Sequence, residues 1–244
     1  MEALTFTIEN EVIARFPEIR VAALAVADLP VAAGRLAHTS DLFQDARAAL
    51  LSAGITADAI AQDARIRDWR EAFAKCGLKP STFRSSPEQL ARRLLKGQSI
   101  STPLAIVNAY CAISARHLAP MGGYDLAKLP QKSIHLRLAQ PQRDTFEPLG
   151  GRPEDMPITS EVVVYASGEK IICWAFNFRD SATTSLAQHT EAAVFFSEAV
   201  NLSQHESVLQ SLSDLKLLLE SHGATTGSIA EADVGRPSLN LLPQ

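Results

Sequence analysis

The sequence predicts an α+β fold in which helices pack against a mixed β-sheet, and three observations support this. Apolar and polar residues alternate as in β-strands at 134–138, 161–165 and 171–179. On both sides of this middle region, apolar residues recur every three or four positions, as on one face of a helix. Strands and helices do not alternate strictly, which favours α+β over a wholly parallel α/β sheet.

The first part of the chain begins with two predicted strands. They cover 4–8 and 21–27, and a short helical or turn segment that reaches Phe16 lies between them. Helical spacing then predicts a helix over 40–54 and a second one over about 57–76.

More helices are predicted on either side of the central strands. Ser86 and Pro87 form a typical helix start, with serine as the capping residue and proline at the first helical position. Further helical patterns cover 102–118, 185–202 and 206–222.

The elements up to residue 223 are predicted to form one domain. From residue 224 to 244 the composition shifts to small, polar and proline-containing residues, which predicts a loose C-terminal tail.

Composition indicates an ordinary globular protein, since 46% of the 244 residues are hydrophobic and 20% are charged. Cys76, Cys111 and Cys173 are widely spaced and odd in number, which predicts reduced thiols and no disulfide framework. The N-terminus lacks the basic start and apolar run of a secretory signal. The longest apolar stretch, 21–33, is too short and too interrupted to span a membrane. We therefore predict a soluble, cytoplasmic protein with no membrane partner.

The net charge is −4, yet positive residues are concentrated between 65 and 96. This segment holds nine Lys/Arg and three Asp/Glu, a local charge of +6 that leaves −10 for the rest of the chain. Such a patch suits a polyanion such as the backbone of a tRNA arm, although a solvated helix face gives the same pattern. The candidate tRNA-binding residues are Arg84, Arg92, Arg93 and Lys96.

General motifs for cofactors and catalysis are absent from the sequence. It has no phosphate-binding glycine loop, no His-Glu-x-x-His and no Gly-x-Ser-x-Gly, and its six histidines form no ligand-like pair. Trp174, Phe176 and Phe178 share one face of a predicted strand, which is more typical of a core than of a base-stacking surface. We predict neither a metal nor an organic cofactor, and no binding of DNA.

Short motifs between about 65 and 202 carry a family resemblance. They are Ile-Arg-Asp-Trp-Arg at 66–70, Gly-Leu-Lys-Pro at 77–80, Val-Asn-Ala-Tyr-Cys-Ala-Ile-Ser at 107–114, Pro-Met-Gly-Gly-Tyr-Asp-Leu at 120–126, Glu-Val-Val at 161–163 and Phe-Asn-Phe-Arg-Asp at 176–180. In order and spacing the series resembles the B3/B4 editing domain of the phenylalanyl-tRNA synthetase β chain. It is more similar still to freestanding proteins made of that domain alone.

The resemblance implies hydrolysis of the ester that joins a wrong amino acid to the terminal ribose of a tRNA. This ester is already activated, so a positioned water and donors for the oxyanion would suffice without a covalent nucleophile. The catalytic candidates are Glu161, Asn177, Arg179 and Glu198, and the substrate-binding candidates are Tyr110, Asp125, His135 and Thr190. Asn177 and Arg179 are expected on one strand face, pointing into a common cleft.

Several positions depart from the family's pattern. Asn108 and Cys111 stand where the family often has Asp and Asn, and Gly122 stands where the synthetase domain has a histidine that helps to reject tyrosine. The chain resembles a freestanding group that acts on tRNA(Arg) charged with canavanine, which implies canavanyl-tRNA as its substrate. The carboxylates available to pair with a guanidine-like side chain are Asp125, Glu161, Asp180 and Glu198.

Three alternatives remain open from the sequence. The protein could be a non-catalytic module that binds tRNA or an amino acid, or it could edit tyrosyl- or meta-tyrosyl-tRNA(Phe). It could also be an interaction scaffold whose basic segment binds an acidic protein.

Overall fold

The computed structural model describes residues 4–30, 36 and 40–241. In chain order these residues form β1 (Leu4–Ile8), α1 (Asn10–Arg15), β2 (Arg20–Ala27), α2 (Ser40–Ser52), α3 (Ala64–Lys75), α4 (Ser86–Leu95), α5 (Ala105–His117), β3 (Gly122–Asp125), β4 (Ser133–Leu138), β5 (Val163–Ser167), β6 (Lys170–Trp174), β7 (Arg179–Asp180), β8 (Ala193–Ala199), α6 (His205–Ser221), β9 (Thr225–Thr226), β10 (Ala230–Ala232) and β11 (Ser238–Leu241).

The strands form two sheets. The first has the order β11-β1-β4-β5-β6-β7, and it is mixed because β1 and β4 are parallel while the other neighbours are antiparallel. The second has the order β10-β2-β8-β3 and is antiparallel, with β9 also pairing with β2. The predicted α+β class and the mixed sheet are confirmed, but the described residues build two sheets where we expected one.

The two sheets pack face to face, and helices cover the outer face of the second. Alternate side chains of a strand point to opposite faces, so β2 contributes to two cores. Val21, Ala23 and Ala25 lie in the core between the sheets, whereas Ala22, Leu24 and Val26 lie under α5 and α6. No helix in the described part of the chain is both long and apolar enough to cross a membrane.

Part of the segment predicted as a helix over 185–202 is a strand. β8 lies between β2 and β3 and is buried on both faces. A strand that is covered on both sides carries an unbroken apolar run, which periodicity does not distinguish from a buried helix. The helix predicted over 206–222 is confirmed as α6.

The expectation of a loose tail is wrong for the residues described up to 241. β9 and β10 pair with β2, and β11 pairs with β1. Leu239 and Leu241 are thereby buried in the core between the sheets. Pairing with distant strands is a tertiary interaction, which a small, polar local composition does not reveal.

The strand predicted over 171–179 is interrupted after Trp174. Ala175 and Phe176 have φ angles of 54° and 56°, in the left-handed region, and they turn the chain before β7 begins. Asn177 and Arg179 therefore do not share a strand face as expected. Trp174 and Phe176 are nevertheless buried in the core, as their sequence pattern indicates.

Candidate functional site

A cavity of about 200 Å³ opens between α4, α5 and the two sheets. Its most buried lining residues form the floor: Tyr124, Tyr165, Cys173, Phe176, Phe196 and Glu198. More exposed residues form the mouth: Leu90, Arg93, Leu149, Phe178 and Arg179. The volume lies below the range typical of drug-sized pockets, so it fits a group the size of an amino acid.

Glu198 is a buried carboxyl at the floor of this cavity. On β8 it follows Val194 and Phe196 at every second position, so it faces the first sheet and is only 3% exposed. Its two oxygens accept hydrogen bonds from the Tyr165 hydroxyl and from Asn177 Nδ2, both at 3.0 Å.

Burial raises the pKa of Glu198 to about 7, because the charged form loses its hydration. The two hydrogen bonds favour the charged form and oppose this rise, while the nearby Asp180 adds to it through charge repulsion. A carboxyl with this pKa exchanges its proton near neutral pH, as a general acid or base requires.

Asn177 connects this carboxyl to the start of α4. Its Oδ1 accepts a hydrogen bond of 3.1 Å from the backbone N–H of Ser86, the first residue of the helix. Because that N–H only donates, Oδ1 must face the helix, and Nδ2 must face Glu198. Ser85 is the N-cap, one residue earlier than expected, and its side chain makes no capping bond; Asn177 satisfies the helix instead.

A second carboxyl, that of Asp180, lies beside the first. Burial raises its pKa, against the opposing hydrogen bonds of Cys173 and Tyr124, and the Tyr124 hydroxyl donates to its Oδ1 at 3.2 Å. Gly122 leaves room for this pair, because a Cβ there would lie 3.1 Å from the Tyr124 hydroxyl oxygen. The position that resembles a histidine site in the synthetase domain is therefore closed to larger side chains unless Tyr124 moves.

The thiols and phenols of the cavity remain protonated at neutral pH. Burial raises the pKa of Cys111 to about 12 and raises the pKa of Cys173 and of Tyr110 well above their ordinary values. A protonated thiol is a poor nucleophile. These groups can donate hydrogen bonds, but the two cysteines are not suited to covalent catalysis.

Four of the eight predicted catalytic and substrate-binding residues line the cavity. They are Tyr110, Asn177, Arg179 and Glu198. They come from α5, β7, β8 and the turn before β7, so they meet only in the folded chain.

The other four predicted residues, Asp125, His135, Glu161 and Thr190, lie outside this cavity. Thr190 Oγ1 donates to Asp125 Oδ2 at 2.7 Å, a buried contact that anchors the loop before β8. His135 lies on β4 of the first sheet, and its Nδ1 is 2.6 Å from Glu9 Oε1. Glu161 is exposed, and its carbonyl accepts from Arg15 Nη1 at 2.6 Å.

The predicted basic patch divides into an internal and an external part. Glu88 on α4 is fully buried and accepts from Arg70 at 2.7 Å and from Arg92 at 2.9 Å, with Arg84 at 3.7 Å. Arg92 therefore neutralises a carboxylate inside the protein, which corrects its placement on a free basic face, whereas the Arg84 side chain is 42% exposed and makes only the longer contact. Arg93 and Lys96 remain exposed, and Arg93 lines the cavity mouth.

Sequence reasoning missed several lining residues. Tyr165 and Cys173 lie on neighbouring strands of the first sheet, and both point towards the second sheet. The sequence pattern correctly places both residues in strands. It does not show which buried polar atoms meet between the two sheets. Across the described residues, no cluster of three or more His, Cys, Asp or Glu is arranged to hold a metal ion.

The fold and the cavity define a two-sheet α+β domain with a small cavity that has an acidic floor and a basic mouth. The chain belongs to the B3/4 domain family, whose model matches residues 68–218. The resemblance predicted from short motifs is thereby confirmed at the level of the family.

Among solved structures, the chain is similar to an N-terminal fragment of the phenylalanyl-tRNA synthetase beta-subunit from Pyrococcus horikoshii. The two are 12% identical with a TM-score of 0.46, and the match covers 91% of this chain and 49% of that one. The chain thus spans about half the length of that fragment. No curated protein matches it.

Proposed function

We propose that this protein hydrolyses the ester of a mischarged tRNA and releases the amino acid. The main observation that supports this proposal is the distribution of charge in the cavity. Asp180 and Glu198 lie inside, and Arg93 and Arg179 lie at the mouth. The end of an aminoacyl-tRNA has the complementary arrangement, since a cationic amino group stands next to the ester and a polyanionic backbone leads away. Membership of the B3/4 family and the resemblance to editing domains support this reaction class.

Glu198 is the proposed general base. With a pKa of about 7, it is partly ionised near neutral pH and accepts a proton from the water that attacks the ester carbonyl. The tetrahedral intermediate then expels the ribose oxygen, which takes up that proton. Asn177 and Tyr165 hold the carboxylate in one orientation, so little reorganisation is needed during the reaction.

Ser86 is the proposed donor to the oxyanion. It lines the cavity, and its buried Oγ has no hydrogen-bond partner among the residues that the structure describes. A hydroxyl without a partner costs stability unless a ligand supplies one, so a transient oxyanion is a suitable acceptor.

The proposed substrate within this class is tRNA(Arg) charged with canavanine. Asp125 and Glu161 lie outside the cavity, so Asp180 is the carboxylate left to pair with a guanidine-like side chain while Glu198 serves the ester. Paired hydrogen bonds from such a group to a carboxylate are short and directional, and they would select it over an apolar side chain.

The test is a panel of correctly and wrongly charged tRNAs, incubated with the wild type, Glu198→Gln and the exposed control Glu154→Gln. We expect ester loss from canavanyl-tRNA with arginyl-tRNA spared. Glu198→Gln should be slower by about 100-fold or more, with tRNA affinity unchanged. Survival of every ester with the wild-type protein would exclude the proposal.

A non-catalytic binding role is the second candidate, and one observation favours it. Both oxygens of Glu198 already accept a hydrogen bond, which suits a fixed binding group as well as a base. In the same panel, tight binding of charged tRNA without loss of its ester would select this role.

A further inference from the structure

Glu88 is a fully buried carboxylate on the first turn of α4, and it does not line the cavity. Arg70 of α3 binds both of its oxygens, from Nε at 2.9 Å and from Nη2 at 2.7 Å, and Arg92 Nε binds Oε1 at 2.9 Å. Stability alone does not require this arrangement, because apolar side chains of similar volume often stabilise such a position equally well. A bidentate pair does fix the relative position of the two helices that carry it. Glu88 therefore determines where the start of α4 lies against α3.

α3 also holds the turn that carries Asn177. Trp69, the neighbour of Arg70, is fully buried, and its ring centroid lies 5.4 Å from that of Phe176 in an edge-on contact. Phe176 precedes Asn177 and has a left-handed φ of 56°, a conformation that a bulky residue adopts only where its surroundings hold it. Consecutive residues of α3 thus fix both sides of the hydrogen bond between the Ser86 N–H and Asn177.

Given the proposed function, in which Glu198 is the base, we propose that Glu88 is a positioning residue for this carboxyl. Its arginine pairs hold the start of α4 at the place where the Ser86 N–H binds Asn177 Oδ1 at 3.1 Å. The other end of the same amide binds Glu198 at 3.0 Å. When α4 moves away from the turn, the amide loses its anchor, and the carboxyl loses a donor that favours its charged form.

This relay acts on the proton affinity of Glu198. Burial raises the pKa of Glu198 to about 7, and Asn177 opposes this rise more than any other group does. Loss of its hydrogen bond therefore raises the pKa further. Removing the negative charge of Glu88 would by itself lower that pKa, so the direct electrostatic effect has the opposite sign.

The other titratable groups that face Glu198 lie on strands and do not depend on α4. They are Tyr124 of β3, Tyr165 of β5, Cys173 of β6 and Asp180 of β7. The cations that line the cavity, Arg93 and Arg179, lie at its mouth. A change in the titration of Glu198 on replacement of Glu88 therefore reports on the hold of Asn177.

The experiment follows the NMR signal of the Glu198 side-chain carboxyl carbon against pH in the full chain, with the signal assigned by its absence from Glu198→Gln. We expect Glu88→Gln to raise the midpoint of this titration by roughly 0.5–1 pH unit, the size of a partly lost hydrogen bond to a charged group.

Asp144→Asn is the matched control. Asp144 lies in the loop after β4, its side chain is fully buried, and Arg137 binds both of its oxygens, at 2.6 and 2.8 Å. It does not line the cavity, so its replacement removes an equivalent buried pair and should leave the midpoint unchanged.

A second variant, Arg70→Lys, keeps the counter-charge of Glu88 but loses the bidentate geometry. It decides the question if Glu88→Gln does not fold, and it should raise the midpoint in the same direction by a smaller amount.

The rate of ester loss is an independent measure. Glu88→Gln should be about two- to fivefold slower than the wild type at neutral pH and should approach the wild-type rate as the pH rises and the carboxyl ionises. A mere loss of folded protein would lower the rate by the same factor at every pH.

The results separate the positioning role from the proposed reaction. An unchanged or lowered midpoint in the folded Glu88 and Arg70 variants, or an equal rise in Asp144→Asn, would overturn the role of Glu88 even if the ester is hydrolysed. A midpoint raised in those two variants and not in the control supports it, including in a protein that hydrolyses no ester.

Discussion

At the scale of the residue, Glu198 obtains its properties from three separate parts of the chain. The alternation of β8 points it between the sheets, β5 supplies the Tyr165 hydroxyl, and the turn after β6 supplies Asn177. Burial raises its pKa and the hydrogen bonds limit that rise, so the carboxyl is poised near neutral pH.

The raised pKa of Glu198 predicts that the free energy of unfolding falls as the pH rises. Its pKa is about 7 in the folded protein against an ordinary value of 4.5, so the folded state binds more protons between these two values. The stability is fully present below the lower value and is lost as the pH rises through the upper one. The loss is expected to be up to about 3 kcal/mol.

Urea unfolding at several pH values across that window, for the wild type and Glu198→Gln, measures this effect. The glutamine can keep both hydrogen bonds, since its carbonyl accepts from Asn177 and its amide donates to Tyr165. The variant should therefore lose less stability as the pH rises. An identical pH dependence in both proteins would show that Glu198 is not the titrating group.

At the scale of the element, α4 joins the cavity to the charged surface. Its first N–H is satisfied by Asn177, and its buried Glu88 binds arginines from two helices. Its outer face carries Arg93, and Lys96 follows at its C-terminal end. The helix is therefore held at its start and along its inner face. This leaves its exposed cations in a fixed position beside the mouth.

We predict different effects when two arginines that are adjacent in sequence are replaced: one replacement weakens tRNA binding and the other lowers stability. Arg93→Ala should weaken tRNA binding and lower its salt dependence, because one phosphate contact is lost. Arg92→Ala should instead lower the free energy of unfolding by roughly 1–3 kcal/mol, because it removes a partner of the fully buried Glu88. Its effect on the salt dependence should be small.

Filter binding over a range of salt concentrations and urea unfolding separate the two effects. Lys96→Ala is a useful companion variant, because Lys96 is exposed at the C-terminal end of the same helix and its loss should have the same effect as the loss of Arg93. If Arg92→Ala proved as stable as the wild type but bound tRNA poorly, the internal role of Arg92 would be refuted.

At the scale of the whole molecule, the C-terminal strands complete both sheets. β10 forms one edge of the second sheet and β11 forms one edge of the first, and their buried side chains extend the core between the sheets.

We predict that Leu239→Asp destabilises the protein by roughly 3 kcal/mol or more, whereas Asn240→Asp changes its stability little. Leu239 is 2% exposed and belongs to the core, while its neighbour on the same strand faces solvent. An unpaired charge in an apolar core is costly, and an exposed one is not. Urea unfolding of both variants measures the difference; similar stabilities would mean that β11 does not hold the core closed.

The sequence by itself determined the α+β class, the strand over 4–8, the helix at 206–222 and the family, because these depend on local period or on the order of motifs. It also selected Tyr110, Asn177, Arg179 and Glu198, which the fold brings into one cavity. The spacing of apolar residues along the sequence shows which side chains share one face of a helix or strand. It does not show what covers the opposite face.

Only the tertiary structure decided the features that depend on distant neighbours. β8 is a strand because sheets and helices cover both of its faces, and the C-terminal segment is ordered because β1 and β2 offer it edges. Arg92 turns inward because the buried Glu88 requires a counter-charge. In each case the free energy comes from a partner far away in sequence, so a local pattern could not reveal it.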